Sequence, residues 1–140
     1  MKTIYGEVVH DFVVKNLDDC QRGFGPSKAI GFADDTGLKA GVVYHNWSPE
    51  TQVIELSAAS TTRKWLTKDA LRQIFAYPFD QLGCRLCVAR ISENNTRTRR
   101  IWRALGATEH IIPAMRGPRE AEIISILSAD TWADGKFSKG

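Results

Sequence analysis

Long apolar runs are missing from this chain. The longest, such as Val42–Tyr44 and Ile123–Leu127, are far too short to cross a bilayer, so no membrane partner is expected. The first ten residues, Met1–His10, carry Lys2 but no apolar stretch followed by a cleavage site. A signal peptide is therefore not expected, and a cytoplasmic location is the default. Cysteine is scarce and odd in number: Cys20, Cys84 and Cys87 cannot build the evenly paired framework of a small secreted domain, and all three read as reduced thiols. Cys84-Arg85-Leu86-Cys87 is formally a CxxC, but no second pair of ligands accompanies it, so neither a metal nor a redox role is expected. Spacing by three within a strand predicts those two thiols on opposite faces. One-sided charge is absent too. Nineteen Lys and Arg against sixteen Asp and Glu give +3, a balance that tolerates a phosphate-bearing ligand without demanding nucleic acid. Internal repeats and low-complexity segments are also lacking.

What is present is an ordinary globular composition, 43% hydrophobic and 25% charged over 140 residues, enough for one core. We expect a single domain over residues 1–133 and a loose polar tail over 134–140. Apolar residues at Val8, Val9, Phe12, Val13 and Leu17 follow helical steps, although their β-branched character leaves a strand over Val8–Val14 open. Asp18–Ser27 reads as a polar loop, with Asp18-Asp19 as turn formers. Its Gly23-Phe24-Gly25 is a weak phosphate signal, because no helix follows it. Lys28–Asp34 and Leu38–Trp47 read as strands joined by the turn Asp34-Asp35-Thr36-Gly37, and Gln52–Ala59 as a third. A helix over Thr67–Leu82 follows, capped by Thr67 and kinked or ended at Pro78, with Gly83 behind it. Then come a strand over Arg85–Ile91, a helix over Asn95–Leu105 stopped by Gly106, and strands over Thr108–Met115 and Ala121–Ser128 joined by Arg116-Gly117-Pro118-Arg119. The fold class is α/β (α+β): a mixed, mostly antiparallel twisted sheet of six or seven strands with helices on both faces and one central βαβ unit.

One stretch carries more. In Asn95-Thr96-Arg97-Thr98-Arg99-Arg100-Ile101-Trp102-Arg103-Ala104-Leu105-Gly106-Ala107, an Asn is followed three residues later by a hydroxyl residue and ten residues later by Leu-Gly. This resembles the GNAT superfamily, and within it the ribosomal-protein-type N-acetyltransferases. The strand before it and the Trp65–Leu82 helix with its lead-in match in type and position. The resemblance implies the GNAT fold, acetyl-CoA as co-substrate, and transfer of its acetyl group to a primary amine by direct attack on the thioester. It also implies the sites. The pantetheine arm would lie in a splay between the strands Gln52–Ala59 and Arg85–Ile91, touching Ser57, Ala58 and Ala59. The loop Ser60–Thr67, with Arg63, Lys64, Trp65, Leu66 and Thr67, would hold the pyrophosphate, and Asn95, Thr98 and Trp102 would face the acyl donor. Two departures are visible. Leu66 and Lys68 occupy the positions where the family's phosphate loop carries small residues, and Trp102 stands where many members carry the tyrosine that protonates the leaving thiolate.

The chemistry of acyl transfer to an amine requires a base, because only the neutral amine attacks. Glu55 and His45 are the candidates. Strand alternation sets Glu55 with Val53 and Ser57, opposite Ile54 and Leu56, on whichever face borders the splay. An ordinary solvated glutamate and a turn-side histidine are the structural alternatives. Tyr44 and Trp47 could line the acceptor pocket or simply pack on the sheet. Asn95 could be a helix cap as well as a site residue. The cluster Arg97, Arg99, Arg100, Arg103 reads first as a solvated helix face, then as a phosphate contact, and last as a nucleic-acid footprint. An amine acceptor, small molecule or protein, and a homodimer are the partners implied. The competing readings are a GNAT-fold binding module without catalysis and a nucleic-acid-associated modifier.

Overall fold

The computed structural model describes residues 1–17 and 23–138; Asp18, Asp19 and Cys20, read above as turn formers and a thiol, lie outside the described residues. Among the described residues, seven strands form one sheet in the order β1-β2-β3-β4-β5-β7-β6. They are β1 (Lys2–Tyr5), β2 (Ser27–Asp34), β3 (Gly37–Ser48), β4 (Val53–Ser60), β5 (Leu86–Ser92), β6 (Thr108–Ile112) and β7 (Glu122–Ser128). All neighbours are antiparallel except β4 and β5. That parallel pair is joined through helix α2 (Lys68–Ala76), as the expected βαβ unit requires. The β2–β3 turn forms as its residues dictate: the Thr36 amide and hydroxyl both donate to the Asp34 carboxylate, and Gly37 takes φ 122°.

Helices cover both faces, because each strand alternates. Ile30, Phe32, Val42, Tyr44, Ile54 and Leu56 turn to the face covered by α2, by α3 (Thr96–Leu105) and by α4 (Ala129–Asp134). Ala29, Val43 and Ala59 turn to the other face, where α1 (Glu7–Asn16) lays Val9 and Val13 against the sheet. The helical reading of the first segment holds, and the strand alternative fails.

The sequence missed several features. The strand β1 is four residues long, too short for a period to show. The helix predicted to Leu82 ends at Ala76 and continues as a π-helical turn, Tyr77–Gln81, in which the Leu82 amide reaches back to the Tyr77 carbonyl. Pro78 has no N–H to give to an α ladder, which makes the wider turn the accessible continuation. The strand predicted to Met115 stops at Ile112. The helix α4 was not expected at all. Within the tail predicted to be loose, 134–140, Phe137 rests on the core and the Ser138 hydroxyl donates to the carbonyls of Ala133 and Gly135. Cys84 and Cys87 are both buried free thiols in one core cluster, not on opposite faces, because Cys84 lies in the turn ahead of β5 and is not bound by its alternation. Burial pushes both thiols up from their usual pKa.

Two glycines decide how closely α1 can sit. A Cβ on Gly41 would stand 2.7 Å from Val9 Cγ1 and 2.9 Å from Val13 Cγ2, and one on Gly31 would stand 2.8 Å from Val9 Cγ2. The helix therefore docks on bare backbone. We predict that Gly41→Ala destabilises the fold by about 1–3 kcal/mol, the usual cost of overpacking, read as a lower urea midpoint at unchanged m value.

Candidate active site

The parallel strands β4 and β5 pair over three positions only, Val53 with Leu86, Ile54 with Cys87 and Glu55 with Val88, and then part. Beyond Glu55, β4 still pairs with β3 as far as Ser60, and β5 pairs with β7 as far as Ser92. Every second residue of each strand thus turns its backbone N–H and C=O into a gap with no strand across it. The gap opens into a cleft of about 1210 Å³ that passes from one face of the sheet to the other. On the α2–α3 side it is lined by Trp65, Leu66, Asn95, Thr98 and Trp102; between the strands by Ser57, Ala58 and Ala59; on the α1 side by Phe24, His45 and Glu55.

Most of the residues picked from sequence meet here. Thr67 caps α2, its hydroxyl accepting from the Ala70 amide at 3.0 Å while its carbonyl accepts from Leu71. That leaves the first-turn amides of Lys68 and Asp69 without a partner among the described residues, at the positive end of the helix. Arg63 and Lys64 are exposed beside this helix start, and Arg97 fixes the loop by donating to the Arg63 carbonyl at 3.2 Å. Arg63, Lys64 and Thr67 border the mouth without lining the cleft itself. Asn95 does cap α3, accepting from the Thr98 amide at 3.2 Å, and also lines the cleft, so both readings of it meet. Trp102 is buried edge-on to Phe75 at 5.6 Å and lines the same wall. Trp65, 7% exposed, packs against Phe32 and forms part of the cleft wall.

Tyr44 and Trp47 do not line the cleft. Tyr44 is one residue from His45, so alternation turns it to the opposite face, where it is buried and its hydroxyl donates to the Ile74 carbonyl at 2.5 Å. Trp47 lies in a bulge of β3, marked by the register shift between His45 and Ser48, and is half exposed outside the cleft lining. Arg99 forks onto Glu109 at 2.9 and 3.2 Å and holds the Glu93 carbonyl, while Arg100 and Arg103 are exposed.

The acid–base groups form one cluster. His45 sits directly across from Glu55 in the β3–β4 register. Its Nε2 lies 2.8 Å from Ser57 Oγ and 3.7 Å from Glu55 Oε2. Asn46, at φ 50° in the bulge, donates its amide to Glu55 Oε1 at 3.0 Å. Phe24 covers the imidazole with a centroid separation of 4.6 Å. Burial lowers the His45 pKa from its usual 6.5, with Glu55 pulling the other way, so the ring is neutral near pH 7.

Sequence reasoning missed the opposite wall. Glu122 on β7 is 1% exposed and accepts from Arg90 Nε and Nη2 at 3.0 and 2.8 Å, while Arg116 stands 3.3 Å from its other oxygen. Ser92 donates to Glu120 at 2.5 Å. All five line the cleft. Only pairing across β5 and β7 brings them together. A glutamate in the apolar run Ala121–Ser128 was the one signal available.

A seven-stranded sheet parted between its single parallel pair, with a helix start at the mouth of the gap, is the fold of the GNAT acetyltransferases. No protein-family model matches the chain, and no curated protein sequence matches it. Solved structures do. Spermidine/spermine N-acetyltransferase SpeG from Vibrio cholerae, in complex with manganese ions, aligns over 95% of this chain and 95% of its own with a TM-score of 0.75 at 9% identity. A chimera of the Vibrio cholerae spermidine N-acetyltransferase aligns over 96% of this chain and 100% of its own, with a TM-score of 0.74 at 10% identity. The ribosomal-protein-S5-alanine acetyltransferase from Vibrio fischeri aligns over 76% of this chain and 63% of its own, with a TM-score of 0.64 at 15% identity. At these identities the likeness establishes the fold.

The buried carboxylate of Glu122 depends on its two guanidinium partners. Glu122→Ala is predicted to cost about 3 kcal/mol, the lower end for breaking a buried ion pair, because Arg90 is 51% exposed and can rehydrate. Denaturant titration of the purified variant measures it.

Proposed function

We propose that this protein is an acetyl-CoA-dependent N-acetyltransferase that passes an acetyl group to a primary amine. The observation that carries the reading is the parting of β4 from β5 after Glu55, because it places unpaired strand backbone, a helix start and a neutral buried histidine around one cleft. The pantetheine arm fits the gap as an extended chain that pairs with the free strand edge. The amides of Lys68 and Asp69 and the positive end of α2, with Arg63 and Lys64 beside them, suit a pyrophosphate. Asn95 and Thr98 suit contact with the acyl donor. The acceptor then approaches from the α1 side, where Phe24, His45 and Glu55 stand. SpeG and the S5 acetyltransferase are named for amine acceptors, spermidine and a ribosomal-protein alanine, which supports an amine here.

In this mechanism the bound amine gives up a proton toward the His45–Glu55 pair and attacks the thioester carbonyl directly. The tetrahedral oxyanion is met by strand backbone N–H groups at the gap, and the thiolate leaves. Trp102 supplies no proton to that thiolate, since an indole N–H is not acidic near neutrality. Leu66 and Lys68, in place of small residues at the phosphate loop, and Trp102, in place of a tyrosine, favour the rival reading of a GNAT-fold binding module that has lost catalysis.

Titration with acetyl-CoA separates the two. Saturation at about 100 times Kd stabilises by about 2.7 kcal/mol, seen as a rise of several degrees in Tm; no shift at millimolar ligand sinks the transferase reading. The histidine gives a second test. Its folded pKa lies below the unfolded value of 6.5, so the neutral form is favoured by folding. The stability this contributes is complete above 6.5 and is lost as pH falls through the lower folded pKa. The acid limb of kcat/KM is therefore expected to fall below pH 6.5, and His45→Gln to lower kcat about 100-fold while removing that limb.

A further inference from the structure

We propose that Ser57 is the group that takes the proton from the acceptor amine, relaying its own to His45, and that Glu55 holds the cationic amine and the resulting imidazolium instead of acting as base. The proposal rests on the amine-acetylation reading above and deepens it.

The geometry favours this order of contact. His45 is 6% exposed, with Phe24 over its ring and His10 edge-on to Phe24 at 5.7 Å, so an amine in the cleft has little access to the imidazole face. The Nε2 atom is occupied by Ser57 Oγ at 2.8 Å. The residue directly opposite His45 in the ladder is Glu55, yet the short contact runs diagonally to Ser57, which pairs with Val43. Ser57 stands two residues beyond Glu55, the last position at which β4 pairs with β5, and it lines the cleft where the two strands have parted. Glu55 Oε2, at 3.7 Å from Nε2, is beyond hydrogen-bond length but close enough to stabilise a charge that appears on the ring. Its other oxygen is held by Asn46. A glutamate so placed attracts an ammonium group and, after transfer, offsets the imidazolium.

The step balances. The ammonium proton moves to Ser57 Oγ as the Ser57 hydroxyl proton moves to His45 Nε2, leaving a neutral amine, an unchanged serine and an imidazolium. The amine nitrogen then bonds to the thioester carbon, the C–S bond breaks, and the second amine proton ends on the departing sulfur. His45 later releases its proton to solvent. Among the described residues, the titratable groups that bear on His45 are Glu55 from β4 and, across Phe24, His10 from α1.

Three measurements test it. In nitrogen-15 NMR of the wild-type protein at about pH 8, above the His45 pKa, the relay requires a bare Nε2 and a protonated Nδ1, the tautomer that can accept from serine. A proton on Nε2 of the neutral ring overturns the relay, whether or not any amine is acetylated. The second is kinetic, with acetyl-CoA and two amine probes, spermidine and a peptide beginning with alanine. Ser57→Ala is expected to lower kcat about 100-fold, to keep an acetyl-CoA-induced Tm shift, since the β4 backbone that would pair with the pantetheine arm is retained, and to be largely restored by Ser57→Thr, which keeps the hydroxyl. A Ser57→Ala rate within about twofold of wild type, beside a normal acetyl-CoA shift, sinks the relay alone. One acetyl group gained by the Ser57 peptide, when wild type is incubated with acetyl-CoA and no amine, overturns it in favour of a covalent serine intermediate. Failure of wild type to bind acetyl-CoA overturns the parent reading and the relay with it.

Discussion

Everything in this molecule turns on two strands that stop pairing. Val53, Ile54 and Glu55 of β4 are bonded to β5, and the next five residues of β4 are not. Unpaired strand edges are costly when buried, so the parting persists only because each strand has a stronger commitment elsewhere. The register of β4 follows β3 from Val53 to Ser60, and that of β5 follows β7 along all seven of its residues. The result is two antiparallel half-sheets hinged at one short parallel seam.

Both banks of the gap are stiffened by polar side chains, and by different means. On the β3–β4 bank one carboxylate stands among uncharged groups: an imidazole kept neutral by burial, a serine and an amide. On the β5–β7 bank it is ionic, a buried carboxylate between two guanidinium groups that also ties the loop before β7 to β5 through the Arg116 contact with the Arg90 carbonyl. Such an arrangement separates tasks. Burial opposes charge on the imidazole, and the Glu55 carboxylate beside it offsets that cost when a proton arrives; the ion-paired bank holds shape, because removing one member leaves a buried charge unpaired. On the α1 face, Gly31 and Gly41 let the helix sit on the β2–β3 backbone, which leaves the adjoining surface of β4 open above Glu55 and Ser57.

Local chemistry was legible from the residues. The caps at Thr67 and Asn95, the glycine turn at Gly106, the Asp34–Gly37 turn and the face of Glu55 all depend on neighbours within a few positions, and each formed as read. Features that depend on distant partners were not legible. The four residues of β1 are a strand only because β2 offers an edge, and Glu122 meets Arg90 only through the β5–β7 register. Phe24, read as part of a weak phosphate signal, instead covers the histidine, a contact that no spacing rule encodes. Tyr44 is different. Alternation with His45 was enough to place it on the far face, and grouping it with the site followed its chemical type against its position.

The phosphate loop shows why a departure from a motif need not close a site. Leu66 and Lys68 replace the small residues that allow close backbone approach in the resembled family, and bulky side chains there could have filled the gap. They do not, because the loop is anchored from three directions. The Trp65 indole is drawn into the core beside Phe32, Arg97 holds the Arg63 carbonyl from α3, and Thr67 commits its hydroxyl and carbonyl to the first turn of α2. With Trp65 seated in the core, Leu66 forms part of the cleft wall and the Lys68 side chain is exposed. Any pyrophosphate here would be held from the helix end and its flanking cations more than by an enclosing loop. Such binding is governed by charge, and so it should weaken with ionic strength more steeply than in a glycine-wrapped site.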